Sequence, residues 1–237
     1  MDSASPARHE RIQYRHVWLG ALLMLATLPG RTQGLGLITE PMLQELSVSH
    51  LSYARLNLLA SLLGALACFP AGWLLDRFGL RIVGGGVVVL LAGAVAGLSF
   101  LSGGLVALFL WILASRGLGQ SALSVISIGA AGRQPASRSS LAMGVYAVIL
   151  SVLFALAFVW VGHAVVESGW RIAWRQIAWF LALGVFPILV ILSPRRLSRM
   201  TSAPAGLDGM SLPEALRTRA FWIFGGCAAS FGLVSSG

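Results

Sequence analysis

Six apolar stretches, each about 20 residues or longer, follow one another between positions 17 and 193 with only short polar breaks. This pattern constrains the fold more than any single motif. A helix needs about 20 apolar residues to cross a hydrocarbon layer roughly 30 Å thick. Soluble cores rarely repeat such runs almost back to back. The rest of the composition agrees: 57% of residues are hydrophobic and 11% charged, against about 25% charged in ordinary soluble domains. The mean hydropathy is +0.83. The expected class is an all-α membrane protein with the lipid bilayer as solvent and partner.

The stretches run over 17–39, 53–75, 82–101, 105–131, 140–166 and 173–193. Residues 1–16 read as a polar amino terminus and 17–193 as a six-helix transmembrane unit. Residues 194–219, with Pro194, Ser198, Pro204, Gly206, Gly209 and Pro213, read as a linker. A further apolar run starts near 220 and continues to Gly237. Only 17 residues follow from Phe221, marginal for a crossing. The expectation is therefore one six-helix half plus the start of a seventh helix, with the second half missing.

Charge sets the expected orientation. The net charge is +9, and every basic residue is arginine. Arg8, Arg11, Arg15, Arg77, Arg81, Arg133, Arg138, Arg195, Arg196, Arg199, Arg217 and Arg219 fall on one side of the expected spans. Arg55, Arg171 and Arg175 fall on the other. Positive loops face the cytoplasm, so the amino terminus is expected there, in a bacterial inner membrane. This distribution over short loops argues against a nucleic-acid surface. The apolar run after the amino terminus is too long for the core of a cleavable signal. Cys68 and Cys227 both lie in apolar runs with no metal-ligand spacing.

Between the second and third stretches stands Gly72-Trp-Leu-Leu-Asp76-Arg77-Phe-Gly79-Leu-Arg81. It resembles the loop 2–3 signature of the major facilitator superfamily, departing from it at Leu80. Weaker likenesses support it. Arg116-Gly-Leu-Gly119-Gln120 is similar to the superfamily's helix 4 motif with Gly and Gln interchanged. Gly169-Trp170-Arg171-x-x-Trp174 resembles the stretch before helix 6, and Glu214 to Trp222 the entry of helix 7. Arg138-Ser-Ser-Leu-Ala142-Met-Gly144 looks like the monocarboxylate and oxalate/formate branch.

The resemblance implies a half-bundle built as a 3+3 inverted repeat. It implies a secondary transporter that works by alternating access, with a small solute held between two six-helix halves. A small organic anion such as a monocarboxylate is the expected substrate, and a proton is a candidate coupling ion whose carrier is expected in the other half. Asp76, Arg77 and Arg81, with Gly72 and Gly79, would form the gating loop.

Two arginines lie inside the apolar stretches. Arg31 sits roughly 12 Å from Thr39, and Arg116 roughly 16 Å from Leu105, at 1.5 Å per residue. The two spans run in opposite directions, so both fall near one layer. A charge there costs about 2.5–3.5 kcal/mol on insertion scales and normally meets a wet cavity or a partner. Arg31 and Gln33, Arg116 and Gln120 are the candidate substrate-binding residues. Arg31 has two competing readings: a structural donor to carbonyls, or a side chain that reaches outward. A structural or gating role competes for Arg116. No carboxylate lies deep in a span, which leaves Glu40 near a span end as the local proton-coupling candidate. Asp76 and Glu167 also sit at span ends.

Other chemistry is not encoded. Gly117-x-Gly119-x-x-Ala122 fits a dinucleotide fingerprint in letters only, since no acidic residue follows about 20 positions later. No G-x-S-x-G stands beside a candidate histidine base. Neither an enzyme nor a cofactor or metal is expected. Two other functions remain open: an exporter of drugs or metabolites with the same fold, and a membrane scaffold or assembly partner without transport.

Overall fold

The computed structural model describes residues 14–132, 139–193 and 212–236. They are almost wholly helical, and no strand occurs among them. Two compact units are distinct, Met1–Leu197 and Ser198–Gly237.

In the first unit the described helices are α1 Tyr14–Leu25, α2 Thr32–Leu46, α3 His50–Ala65, α4 Cys68–Ser99, α5 Leu105–Ser115, α6 Ser124–Ala131, α7 Ser139–Ser168, α8 Trp170–Trp179 and α9 Phe186–Leu192. A 3-10 turn, Leu28–Gly30, joins α1 to α2. Wider π-helical segments, Arg116–Leu123 and Phe180–Val185, join α5 to α6 and α8 to α9. These pieces form six rods: α1–α2, α3 with the first part of α4, the rest of α4, α5–α6, α7, and α8–α9.

Four stretches are long and apolar enough to cross a membrane: His50–Ser99, Leu105–Ala131, Ser139–Ser168 and Trp170–Leu192. The first of these is 50 residues long. Straight, it would reach about 75 Å, more than twice a hydrocarbon layer. Gly79 divides it, with φ 79° and ψ 168°. That conformation is essentially open to glycine alone. The chain doubles back there, because Gly64 before it and Leu91 after it both reach the fourth rod, at Gly117 and Gly119. The motif loop is therefore a hairpin between rods 2 and 3.

The first rod is longer than its apolar stretch and is broken. Pro29 has no N–H to donate, and the chain tightens into the 3-10 turn before resuming at Thr32. Rod 2 bends at Leu66–Ala67, where Pro70 removes a donor one turn on. The other four rods agree with their apolar stretches to within a few residues.

The core lies among rods 1, 3, 4 and 6, with Leu23, Leu35, Leu91, Leu98, Ile112, Leu123, Ile126 and Trp174 fully buried. Rod 5 is mostly exposed: its buried residues are Ala142, Tyr146, Val161 and Ala164. Apolar side chains facing outward carry little penalty when the surroundings are lipid.

The second unit holds α10 Leu212–Arg217 and α11 Arg219–Ser236. The expected seventh helix corresponds to α11. Most of the expected linker lies outside the described residues, as do Arg133 and Arg138.

Candidate functional site

Rod 1 and rod 4 are both irregular at the same level, and each irregularity carries an arginine. Arg31 closes the 3-10 turn with extended backbone, φ −86° and ψ 153°. Arg116 opens the π segment. The rods meet backbone to backbone between these residues. A Cβ on Gly119 would lie 3.1 Å from Gly30 Cα, and one on Gly30 would collide with the Ser115 carbonyl oxygen. Small residues at this crossing let the two arginines leave helices that nearly touch.

Arg116 is buried, 2% exposed. Its Nε and Nη2 donate to one acceptor, Asn57 Oδ1, at 2.9 and 2.7 Å. Its Nη1 donates to Gln120 Oε1 at 2.5 Å and to Thr32 Oγ1 at 3.3 Å. Rods 1, 2 and 4 thus converge on one guanidinium.

Arg31 is only partly buried. Its Nε donates to Thr27 Oγ1 at 2.6 Å, and its Nη2 reaches Ser124 Oγ at 3.3 Å and Met24 Sδ at 2.7 Å. Its Cζ lies 5.6 Å from the Phe154 ring centroid, a cation–π position. Nη1 has no acceptor among the described residues. On the same side, Ser127 donates to the Gly20 carbonyl at 2.8 Å, which leaves its oxygen to accept from Tyr146 at 3.1 Å.

The two sets mirror each other. Arg31, on rod 1, reaches rod 4 through Ser124 and rod 5 through Phe154. Arg116, on rod 4, reaches rod 1 through Thr32 and rod 2 through Asn57. Exchanging rod 1 with 4 and rod 2 with 5 carries one set onto the other.

Neither guanidinium meets a carboxylate among the described residues. The ion pairs among the described residues are His50–Glu40 and Arg171–Glu45. All acceptors around Arg31 and Arg116 are neutral, so the interior layer keeps two positive charges.

The other expected residues are placed as follows. Gln33 is exposed and is not part of either set. Asp76 and Arg77 are exposed at the Gly79 hairpin, and Arg81 is partly buried. The Arg77 guanidinium lies 5.3 Å from the Trp73 ring and 5.7 Å from Phe78. Asp76 makes no ion pair among the described residues. Gly72 has open space where a Cβ would go. Glu40 is exposed, accepts from Gln44 at 2.7 Å and lies 3.6 Å from His50.

Sequence reasoning missed Asn57, Thr27, Thr32, Ser124, Tyr146 and Phe154. Asn57 had a legible signal: it is the chain's sole asparagine, and it lies inside an apolar run. Glu45 was also missed. It lies beyond the first apolar stretch and joins Trp170 and Arg171 at the far end of the bundle.

No family model matches this chain, and no curated protein matches it. The class rests on the geometry. Among the described residues the protein is all-α, with four stretches long and apolar enough to cross a membrane, and two interior guanidinium groups have no carboxylate partner there.

Proposed function

We propose that the chain carries a six-helix bundle of a secondary transporter of the major facilitator type. It moves a small organic anion, such as a monocarboxylate, across a bacterial inner membrane by alternating access, with its amino terminus in the cytoplasm. The observation that carries this reading is the pair of uncompensated arginines at one level of a helical bundle. Arg31 is the better ligand contact, because it is partly exposed and its Nη1 has no acceptor among the described residues. Arg116 uses its donors on Asn57, Gln120 and Thr32, and organises the crossing of rods 1, 2 and 4.

The exchange of rods 1 with 4 and 2 with 5 is the relation expected of a 3+3 inverted repeat. The hairpin at Gly79 carries the motif that suggested the superfamily. In this reading Asp76 docks on the other half, where a helix N-terminus favours a carboxylate. If transport is coupled to a proton, Glu40, at a surface ion pair with His50, is the local candidate to carry it.

The test is ligand-dependent thermal stabilisation of the purified protein in nanodiscs. Short monocarboxylates are compared with their neutral amides. Stabilisation by the anions alone, lost in Arg31→Gln, supports the reading. Equal response to amides and anions would sink it.

A second reading is export of an apolar solute. It is favoured by a cavity of about 400 Å³ beside the break in rod 1, lined by Leu28, Pro29, Leu156, Trp160, Ile177 and Phe180. In that case apolar ligands stabilise the protein and Arg31→Gln leaves their effect intact. A scaffold without transport would respond to neither class of ligand.

A further inference from the structure

Arg116 is enclosed, but the groups that enclose it are not. Asn57, Thr32 and Gln120 accept its hydrogen bonds. Gln120 is exposed, and Asn57 and Thr32 are partly exposed. A guanidinium only donates. The oxygen of each amide must therefore face it, and the nitrogen takes the other arm of the planar group. Asn57 Nδ2 and Gln120 Nε2 are left as donors with no acceptor among the described residues. The Thr32 hydroxyl accepts through its oxygen and likewise keeps its hydrogen. Each of these donors is backed by a cation, which polarises it. The charge of Arg116 thus reaches the outside of the bundle as donors alone.

These groups lie deep in the apolar stretches. Facing lipid, an amide there would stay unsatisfied at a large cost. Rod 3 shows the lipid-compatible alternative, since residues 82–98 carry no polar side chain. The face that bears Gln120 is therefore one that meets water or a ligand.

The Arg31 set adjoins this one. Thr32 follows Arg31 in the chain. Ser124, which accepts from Arg31 at 3.3 Å, stands one helical turn after Gln120, roughly 5–6 Å along rod 4. Arg31 offers Nη1, and the Arg116 set offers its amide nitrogens. Neither charge is cancelled by a carboxylate among the described residues. A single carboxylate neutralises one of them. Two carboxylates on a short chain neutralise both and fill both sets of donors.

We propose that the anion taken by this site is a short dicarboxylate, held by Arg31 at one end and by the amides of Gln120 and Asn57 at the other. This rests on the anion reading and adds to it the second carboxylate and the residues that bind it. Roughly two to three methylenes bridge the separation, at about 1.5 Å per carbon–carbon bond. Gln120 distinguishes two carboxylates from one, because it is the exposed member of the Arg116 set and lies nearest Ser124 along rod 4.

The test is binding to the full chain in nanodiscs at neutral pH, with succinate and glutarate set against butyrate and pentanoate. A ligand that binds only the folded state raises the melting temperature with concentration, which yields its affinity. Wild type should bind the dicarboxylates at least about tenfold more tightly, the strength of one hydrogen bond to a charged group. Oxalate, too short to reach both sets, should bind no better than acetate. Gln120→Glu keeps an acceptor for Arg116 and exchanges the amide NH2 for oxygen. Gln120→Met removes the donor without adding charge. In both variants the preference for two carboxylates should vanish. A packing role for Gln120 would lower the melting temperature without ligand and leave that preference intact.

Equal affinity for succinate and butyrate in wild type would overturn the inference and leave the anion reading standing. A preference that survives both substitutions, or one shared by oxalate, would also overturn it. No response to any carboxylate would overturn the anion reading and this inference with it. If neither variant folds, the wild-type series decides: succinate and glutarate must exceed both butyrate and oxalate.

Discussion

Arg116 and Asn57 share a single oxygen: the guanidinium places Nε and Nη2 on Asn57 Oδ1, 2.9 and 2.7 Å away. The acceptor is neutral, so the pair satisfies the donors of the arginine without cancelling its charge. A carboxylate at position 57 would do both.

That difference yields the first prediction. Asn57→Ala leaves a buried charge short of its main acceptor and should destabilise by about 1.5–3 kcal/mol, the range for hydrogen bonds to charged groups. Asn57→Asp should fold well but weaken anion binding, because the interior charge falls by one. Thermal melts with and without a short monocarboxylate separate the two variants.

Arg31 should behave differently. It is partly exposed, so Arg31→Gln should change the melting temperature little while abolishing anion-dependent stabilisation. Arg31→Lys should recover only part of the response, since an ammonium lacks the planar fork that matches a carboxylate. A Lys variant equal to wild type would argue for a diffuse charge effect over direct contact.

The two glycines of the hairpin motif should respond unequally to alanine. Gly79 holds φ 79° and ψ 168°, and a side chain there should cost on the order of 1–3 kcal/mol in backbone strain. Gly72 is helical with open space around it. Gly72→Ala should be neutral or stabilise by about 0.4–1 kcal/mol. Denaturation of both variants in the same detergent checks the contrast.

A similar contrast applies inside the bundle. A Cβ at Gly30 meets the backbone of rod 4, which cannot move aside as a side chain would. Gly30→Ala should push rods 1 and 4 apart and lose folded yield. Gly93→Ala meets nothing within 4 Å and should accumulate as wild type. Size-exclusion profiles of the two proteins report the outcome.

Much of the candidate site was legible from residue type alone. An arginine inside an apolar run is expensive, so Arg31 and Arg116 stand out in the sequence. Opposite helix directions placed them in one layer. Their partners were not legible. Thr32 and Ser124 are common residue types, and Phe154 looks like any lipid-facing aromatic in an apolar run. Gln33 illustrates the limit: two positions beyond Arg31, it is exposed and outside the network. Glu45 was hidden for another reason. It falls outside every apolar stretch, and its partners Trp170 and Arg171 lie more than a hundred residues away.

The sequence by itself determined the class of structure. Runs of about 20 apolar residues with few charges have one economical solution, long helices whose backbone groups bond internally. It also carries the residues at two of the breaks, Pro29 and Gly79, although Pro41 lies inside α2 without breaking it. Only the tertiary structure decided which faces meet. The touching of Gly30 and Gly119, the convergence of three rods on Arg116 and the meeting of Glu45 with Trp170 and Arg171 all depend on distances between segments far apart in the chain. Apolar periodicity carries no such information where lipid and core are equally apolar.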